Sequence, residues 1–220
     1  MRSKALNIKF SKNSTKDRIA SKNQRDAIRQ QVRQLRQHLT PTQQTDAAIQ
    51  LLARFSIDEK ILSAKSIALY LSNDGELDTQ LLIEWCWQQG KQVYLPVLHP
   101  FTKGHLLFLH YDSQTSLVKN HFAIAEPKLD VRKIIPSQQL DIICTPLVAF
   151  DNAGARLGMG GGFYDRTLSH WHQHYKQQNI VKPYPIGLAH NCQLVDSLPS
   201  ESWDIPLPEI ITPSMHYKFN

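Results

Sequence analysis

Arg156 and Asp165 stand at the two ends of the stretch Arg156-Leu157-Gly158-Met159-Gly160-Gly161-Gly162-Phe163-Tyr164-Asp165, with Arg166 just beyond. Arginine offers a planar fork of donors to phosphate oxygens, and bare glycines let a ligand reach backbone amides. A carboxylate beside them can hold a divalent cation against the same phosphates. Five of the chain's nine glycines fall between 154 and 162, a concentration that costs backbone entropy unless close approach is needed. These types at this spacing favour phosphate or nucleotide binding over turn chemistry alone. No Gly-Lys-Ser/Thr follows the cluster, so it is not a Walker A loop, and its spacing is not that of a dinucleotide fingerprint. No serine, cysteine or histidine arrangement marks a nucleophile, which leaves positioning and electrostatics to carry the rate. Asp165 also has a purely structural reading, since a carboxylate in a first helical turn gains about 0.3 to 1 kcal/mol from the helix dipole.

The elements that must position these groups are legible in the flanking pattern. The apolar run Ile142 to Phe150 predicts a strand, and the segment from Tyr164 to about Gln177 predicts a helix, giving strand, glycine loop and helix in succession. The amides at that helix start suit an anion. Thr40-Pro41-Thr42-Gln43 reads as a capping box with proline at the first helical position, so a helix is expected from Pro41 to about Phe55. Ser66 to Leu71 reads as a buried strand, followed by the polar turn Ser72 to Thr79 and a helix over Gln80 to Gln89. That turn lies where α/β sheets usually meet ligands, which makes Glu76 a candidate contact as well as a turn residue. Further strands are expected over Gln92 to Val97, Leu106 to His110, His121 to Ala125, Pro185 to Ala189 and Glu209 to Thr212, with Trp203 and Asp204 in a turn before the last. The alternation predicts a three-layer α/β fold, a mainly parallel central sheet flanked by helices with a few antiparallel strands. His170 and His174 share a helix face, but with no third ligand nearby in sequence they read as an exposed face and are assigned no metal.

The formal net charge of +6 is local, because residues 1 to 36 hold eleven Lys/Arg against two Asp, or +9, and the rest 14 against 17, or −3. A helix from about Lys22 carries the apolar stripe Ala27, Ile28, Val32, Leu35 and Leu39. Arg25, Arg29, Arg33 and Arg36 fall on neighbouring ridges of it, where like charges repel unless an anion lies between them. Basic residues confined to one terminal segment without interleaved aromatics argue against a nucleic-acid groove. No apolar run is long enough for a membrane span, and the first 20 residues lack a secretory core. Cys86, Cys144 and Cys192 fit buried thiols in a reducing compartment. The expectation is a single domain over residues 21–220 behind a poorly ordered basic extension of residues 1–20. It is taken to be cytoplasmic and monomeric, with neither nucleic-acid nor membrane partner.

From about Arg25 to Thr212 the chain resembles the 5-formyltetrahydrofolate cyclo-ligase, or methenyltetrahydrofolate synthetase, family. The most specific stretch is Val148-Ala-Phe-Asp151 through Arg156-Leu-Gly-Met-Gly-Gly-Gly-Phe-Tyr-Asp165-Arg166. Arg25-x-x-x-Arg29 followed by Arg36, Gly75-Glu76-Leu-Asp-Thr79, and Trp203-Asp204 ahead of Ile-Ile-Thr support it. The resemblance implies MgATP-dependent closure of 5-formyltetrahydrofolate, with or without a polyglutamate tail, to 5,10-methenyltetrahydrofolate, ADP and phosphate. It implies that Arg25, Arg29, Arg156 and the amides of Leu157, Gly158, Met159, Gly160, Gly161, Gly162, Phe163 and Tyr164 hold ATP. It also implies Asp165 and Asp204 as Mg²⁺ ligands, and Glu76, Phe163 and Tyr164 at the folate, with Arg156 and Tyr164 at the reacting groups. Two positions depart from the family pattern: Arg25 stands where lysine is usual, and Phe163 where tyrosine is common. A nucleic-acid-binding protein using the basic helix, and a sugar-phosphate isomerase or transferase, are the alternatives from other classes.

Overall fold

The computed structural model describes residues 15–175 and 182–219. Helix α1 runs Thr15–Gln37, α2 Pro41–Phe55, α3 Glu59–Ser63, α4 Gln80–Gln88 and α5 Phe163–Tyr175. The strands are β1 Ser66–Ala68, β2 Gln92–Leu98, β3 Leu106–Tyr111, β4 Leu117–Lys119, β5 Ala125–Pro127, β6 Ile134–Ile135, β7 Ile142–Pro146, β8 Ala149–Phe150, β9 Arg156–Leu157, β10 Tyr184–Leu188, β11 Glu209–Ile211 and β12 His216–Lys218. Among the described residues the main sheet has the order β12-β11-β10-β7-β1-β2-β3-β6. Its five central strands are parallel, and antiparallel neighbours close both edges.

The three layers follow from alternation along the central strands. Ile67, Ile142 and Cys144 face Leu51 and Phe55 of α2 and Leu82 and Ile83 of α4, while Ala68, Ile143 and Ile210 face Leu168 and Trp171 of α5. Burying such a side chain contributes about 1.5 to 3 kcal/mol each, which is why register is tightly specified here. The capping box is present, with Gln43 N donating to Thr40 Oγ1 at 3.2 Å and Thr40 N donating to Gln43 Oε1 at 2.8 Å. Cys86 and Cys144 are buried, Cys192 is partly so, and all three are free.

Three expectations are corrected. The run Ile142 to Phe150 is not one strand: β7 ends at Pro146, which has no N–H to continue the ladder, and β8 pairs instead with β9 in a separate antiparallel ribbon. His121 to Ile124 is a turn, not a strand, and only Ala125 of that run enters one, as the first residue of β5. Asn120 Oδ1 accepts from the amides of Phe122 and Ile124, Ala123 sits at φ 59°, and the strands β4 and β5 lie on either side. Finally, α1 begins at Thr15 rather than near Lys22, so residues 15–20 of the expected extension are helical; residues 1–14 lie outside the described residues, as do 176 and 177 at the expected end of α5.

At the sheet's far end from those loops, Glu209 ties α3 to the last two strands. Its Oε1 accepts from Lys60 Nζ at 2.6 Å and Tyr184 OH at 2.8 Å, and its Oε2 meets His216 Nε2 at 2.9 Å. Burial raises its pKa, but these three partners more than offset it and hold the carboxyl at about 2. The contribution is therefore present above the unfolded value near 4.5 and is lost as pH falls toward 2. We expect Glu209→Gln to destabilise the fold by about 1 to 3 kcal/mol at pH 7 in urea melts, with the gap to the parent narrowing between pH 4.5 and 2. A pH-independent gap would remove the ionic tie.

Candidate active site

The loops after β1, β7 and β10 gather at the carboxyl ends of the parallel strands. From β1 the chain turns toward β2, and from β7 it turns the opposite way to β10, so a crevice opens between β1 and β7. A cavity of about 680 Å³ fills it. One wall is Tyr70, Asp74 and Glu76, another is Arg156 with Gly158, Met159 and Gly161 to Asp165, and a third is apolar, from Leu95, Pro96, Leu98, Leu106, Phe122 and Ile124.

Arg156 is held by the β8–β9 ribbon, whose other residue Leu157 is buried with Val32 of α1, Val148 and Ala149. Its guanidinium is almost entirely enclosed, and Nη2 donates to Asp165 Oδ1 at 2.7 Å. Burial pulls the Arg156 pKa down while Asp165 and Asp204 pull it up. Among the described residues its Nε is buried without a hydrogen-bond partner. A buried unpaired donor on a charged group costs free energy, and a charged residue kept so on a cavity wall suits an anion there. Between the two charges the glycine loop turns through positive φ at Gly160 (99°) and Gly162 (65°), a conformation that side chains disfavour, and α5 begins at Phe163. Asp165 Oδ1 also accepts from Ile205 N at 3.2 Å. Among the described residues its other oxygen takes no hydrogen bond.

Helix α1 lies across this end of the sheet, and its Arg25, Arg29, Arg33 and Arg36 are bound within the molecule. Arg25 forks onto Asp204 at 2.5 and 3.1 Å, and that hydrogen-bonded pair raises the arginine's pKa. Arg29 donates from Nε to Gly158 O at 2.9 Å and from Nη1 to Asp26 at 2.6 Å. Arg33 donates to Asp74 Oδ2 at 2.7 Å. Arg36 is fully buried, with Nε on Asp74 O and Nη2 on Asp74 Oδ2, both at 2.8 Å. The mutual repulsion expected along this face is thus answered by Asp204, Asp26 and Asp74. Arg33, foremost, and Arg36 hold the Asp74 carboxyl at about 2.

Glu76 stands on the cavity wall with its side chain mostly enclosed. Burial pushes its pKa to about 7, although Arg36 Nη1, 4.0 Å from Oε1, and the Asn73 amide both oppose the rise. Burial likewise raises the phenols of Tyr70 and Tyr164. The structure therefore brings Arg156, Gly158, Met159, Gly161, Gly162, Phe163, Tyr164, Asp165 and Glu76 to one cavity. Arg25, Arg29 and Asp204 stand beside it without lining it, Gly160 rests against Arg29, and Leu157 turns into the core. Asp74 and Phe122, which sequence reasoning did not single out, also matter here, and Arg36 takes a role beyond the basic face expected of it. Asp74 and Arg36 fix the turn that presents Glu76, and Phe122 meets Phe163 edge to face at 6.3 Å on the cavity wall. Asp74 (53°) and Gly75 (72°) take consecutive positive φ values within the polar turn expected over Ser72 to Thr79, a conformation that an Asp-Gly pair suits. Phe122 had no such local signal.

Fold and crevice together define an α/β protein whose strand ends carry a glycine loop set between a buried arginine and a carboxylate. Residues 21–213 match the model of the 5-formyltetrahydrofolate cyclo-ligase family. The chain is 57% identical over 183 residues to the 5-formyltetrahydrofolate cyclo-ligase of Escherichia coli K12, covering 83% of this chain and 97% of that one. It is 50% identical over 189 residues to the Haemophilus influenzae cyclo-ligase, covering 85% and 96%. The solved structure of Aquifex aeolicus 5,10-methenyltetrahydrofolate synthetase superposes with a TM-score of 0.73 at 26% identity, over 88% of this chain and 92% of that one. The chain belongs to the 5-formyltetrahydrofolate cyclo-ligase family, a family of ligases.

Proposed function

We propose that this protein closes 5-formyltetrahydrofolate to 5,10-methenyltetrahydrofolate at the expense of ATP, and that the cavity at the strand ends is where it does so. Family membership implies ATP as the co-substrate. The observation that carries the assignment to this cavity is Arg156: a buried guanidinium paired, among the described residues, only with Asp165 at the other end of the glycine loop, on the wall of a space with an apolar side.

In this reading the amides of Gly158 to Tyr164 and the α5 start receive the ATP phosphates, with Arg156, Arg29 and Arg25 as counter-charges. The formyl oxygen attacks the γ-phosphorus and the bond to ADP breaks. Nitrogen 10 then adds to the activated carbon and gives up its proton, and the carbon–oxygen bond breaks to release phosphate. Arg156 holds the charge that develops on the transferring group. Tyr164, kept neutral by its buried position, can donate a hydrogen bond at the same end of the cavity. Glu76 binds the folate across from the loop, with Phe163 and Phe122 against its rings.

The donor set fits Mg²⁺, a hard cation that takes carboxylate oxygens. Asp165 has an oxygen without a hydrogen bond, whereas both oxygens of Asp204 are covered by Arg25. Asp165 and Asp204 would hold the ion, which supplies charge neutralisation at the phosphates, once Arg25 turns from Asp204 to the nucleotide. The direct test mixes protein, 5-formyltetrahydrofolate, ATP and Mg²⁺ and follows the near-ultraviolet absorbance of the methenyl product. We expect a rise that needs all four components, and no ATP-dependent rise would overturn the assignment. With Arg25, Arg29, Arg33 and Arg36 engaged internally, nucleic-acid binding should stay weak throughout.

A further inference from the structure

Arg166 flanks the glycine cluster in sequence, yet the reaction described above gives it no task. Its exposed side chain runs back from the first turn of α5, and a single nitrogen, Nη1, donates to Gly161 O at 2.7 Å and to Gly104 O at 3.0 Å. Gly104 lies 62 residues away, in the turn between β2 and β3. A Cβ built on Gly104 would stand 2.4 Å from Nη1 and 2.6 Å from Cζ of that guanidinium, and one on Gly162 would stand 3.1 Å from Nη1. Both glycines have positive φ, 78° and 65°.

We propose that Arg166 is a positioning residue that clamps the glycine loop to the β2–β3 turn, its guanidinium seated in a slot that Gly104 and Gly162 leave open. The argument is one of shape and valence. A loop whose role is to present free amides has few side chains of its own to hold it, so its carbonyls are the available handles. Arg166 takes one of them and anchors it to a hairpin of the main sheet, which β2 and β3 make rigid over six paired positions from Val93–Tyr111 to Leu98–Leu106. Arginine suits the slot because its planar group is thin and stays charged. The functional consequence rests on the ATP reading above: a loop held before the nucleotide arrives is preorganised, and misplacement by about 1 Å can cost on the order of 10²-fold in rate.

The test is a double-mutant cycle with two readouts. Arg166→Ala, Gly104→Ala and the double variant are compared with Gly90→Ala, a control with φ 68° and no atom within 4 Å of its added Cβ. Alanine at 104 evicts the guanidinium, so it should mimic Arg166→Ala, whereas the control carries backbone strain alone. Amide hydrogen exchange of residues 158–162 in ligand-free protein should quicken about tenfold in both single variants, and kcat/KM for ATP should fall about 10- to 100-fold. The double variant should be no worse than Arg166→Ala, and Gly90→Ala should leave both readouts alone. Additive losses, or loop exchange unchanged in a folded Arg166→Ala protein, would overturn the clamp. The exchange cycle needs no nucleotide, so it decides the clamp even if wild-type protein fails to turn over folate and ATP, a result that would instead remove the assigned reaction.

Discussion

Arg156→Ala should lower kcat by about 10² to 10³, the usual cost of removing one preorganised charge contact from a transferring group. The size follows from the surroundings. The guanidinium is enclosed, so its field is little screened, and Arg156 lines the cavity that the phosphates would enter. The same enclosure makes the substitution a risk to folding, because Asp165 loses its partner, and Arg156→Lys is the companion variant. Lysine keeps the charge but not the fork, and it should recover stability while remaining at least about tenfold slow. Rapid-quench measurement of phosphate release separates this from a binding defect. A folded Arg156→Ala protein that retains parent-like kcat would exclude Arg156 from the reaction.

The second large effect is expected at Glu76, and it is read in KM. A pterin ring presents paired N–H donors, which an ionised carboxylate accepts and a protonated one does not. With its pKa at about 7, the free enzyme is mostly in the wrong state below that pH. KM for folate should therefore rise about tenfold per pH unit below 7 and level off above it, with kcat little changed. Glu76→Gln should flatten this dependence and raise KM about 10- to 100-fold at pH 8, as loss of a charged hydrogen-bond acceptor usually costs about 1.5 to 3 kcal/mol. The stability effect has the opposite sense to that of Glu209. A carboxyl raised from 4.5 to about 7 stabilises the fold fully below 4.5, and that contribution fades as pH climbs to 7. A wild-type KM that is flat from pH 6 to 8 would exclude Glu76 as the folate acceptor.

Arg36 holds the turn that presents Glu76, although it touches neither ligand in the proposed reaction. It pins Asp74, and with it the left-handed pair Asp74-Gly75, so that Glu76 faces the cavity rather than solvent. His190, which burial and then Arg36 hold at a pKa of about 4, packs neutral behind the same turn. Arg36 and His190 are buried beneath a turn that is itself half-buried.

Neighbouring residues alone determined the capping box, the glycine loop that leads into α5, the arginine ladder on α1 and the alternation of strands with helices. Each is a matter of local spacing, sterics and backbone hydrogen bonding, which act over a few residues wherever the chain goes. The family resemblance was legible for the same reason, since its most specific stretch is continuous. Tertiary structure decided what lies opposite what. Arg25 meets Asp204 across 179 residues, and Arg166 meets Gly104 across 62, because strand order folds those loops together. The apolar run Ile142 to Phe150 looked uniform in sequence, yet Pro146 and the competing partner β9 divided it, and that division is what buries Arg156 at the cavity. Phe122 lacked any local mark because its place depends on a hairpin folding back over the crevice. Burial decided the rest: an identical arginine is solvated at one position of α1 and wholly enclosed at another, and only the packing around it sets which charge is free to act.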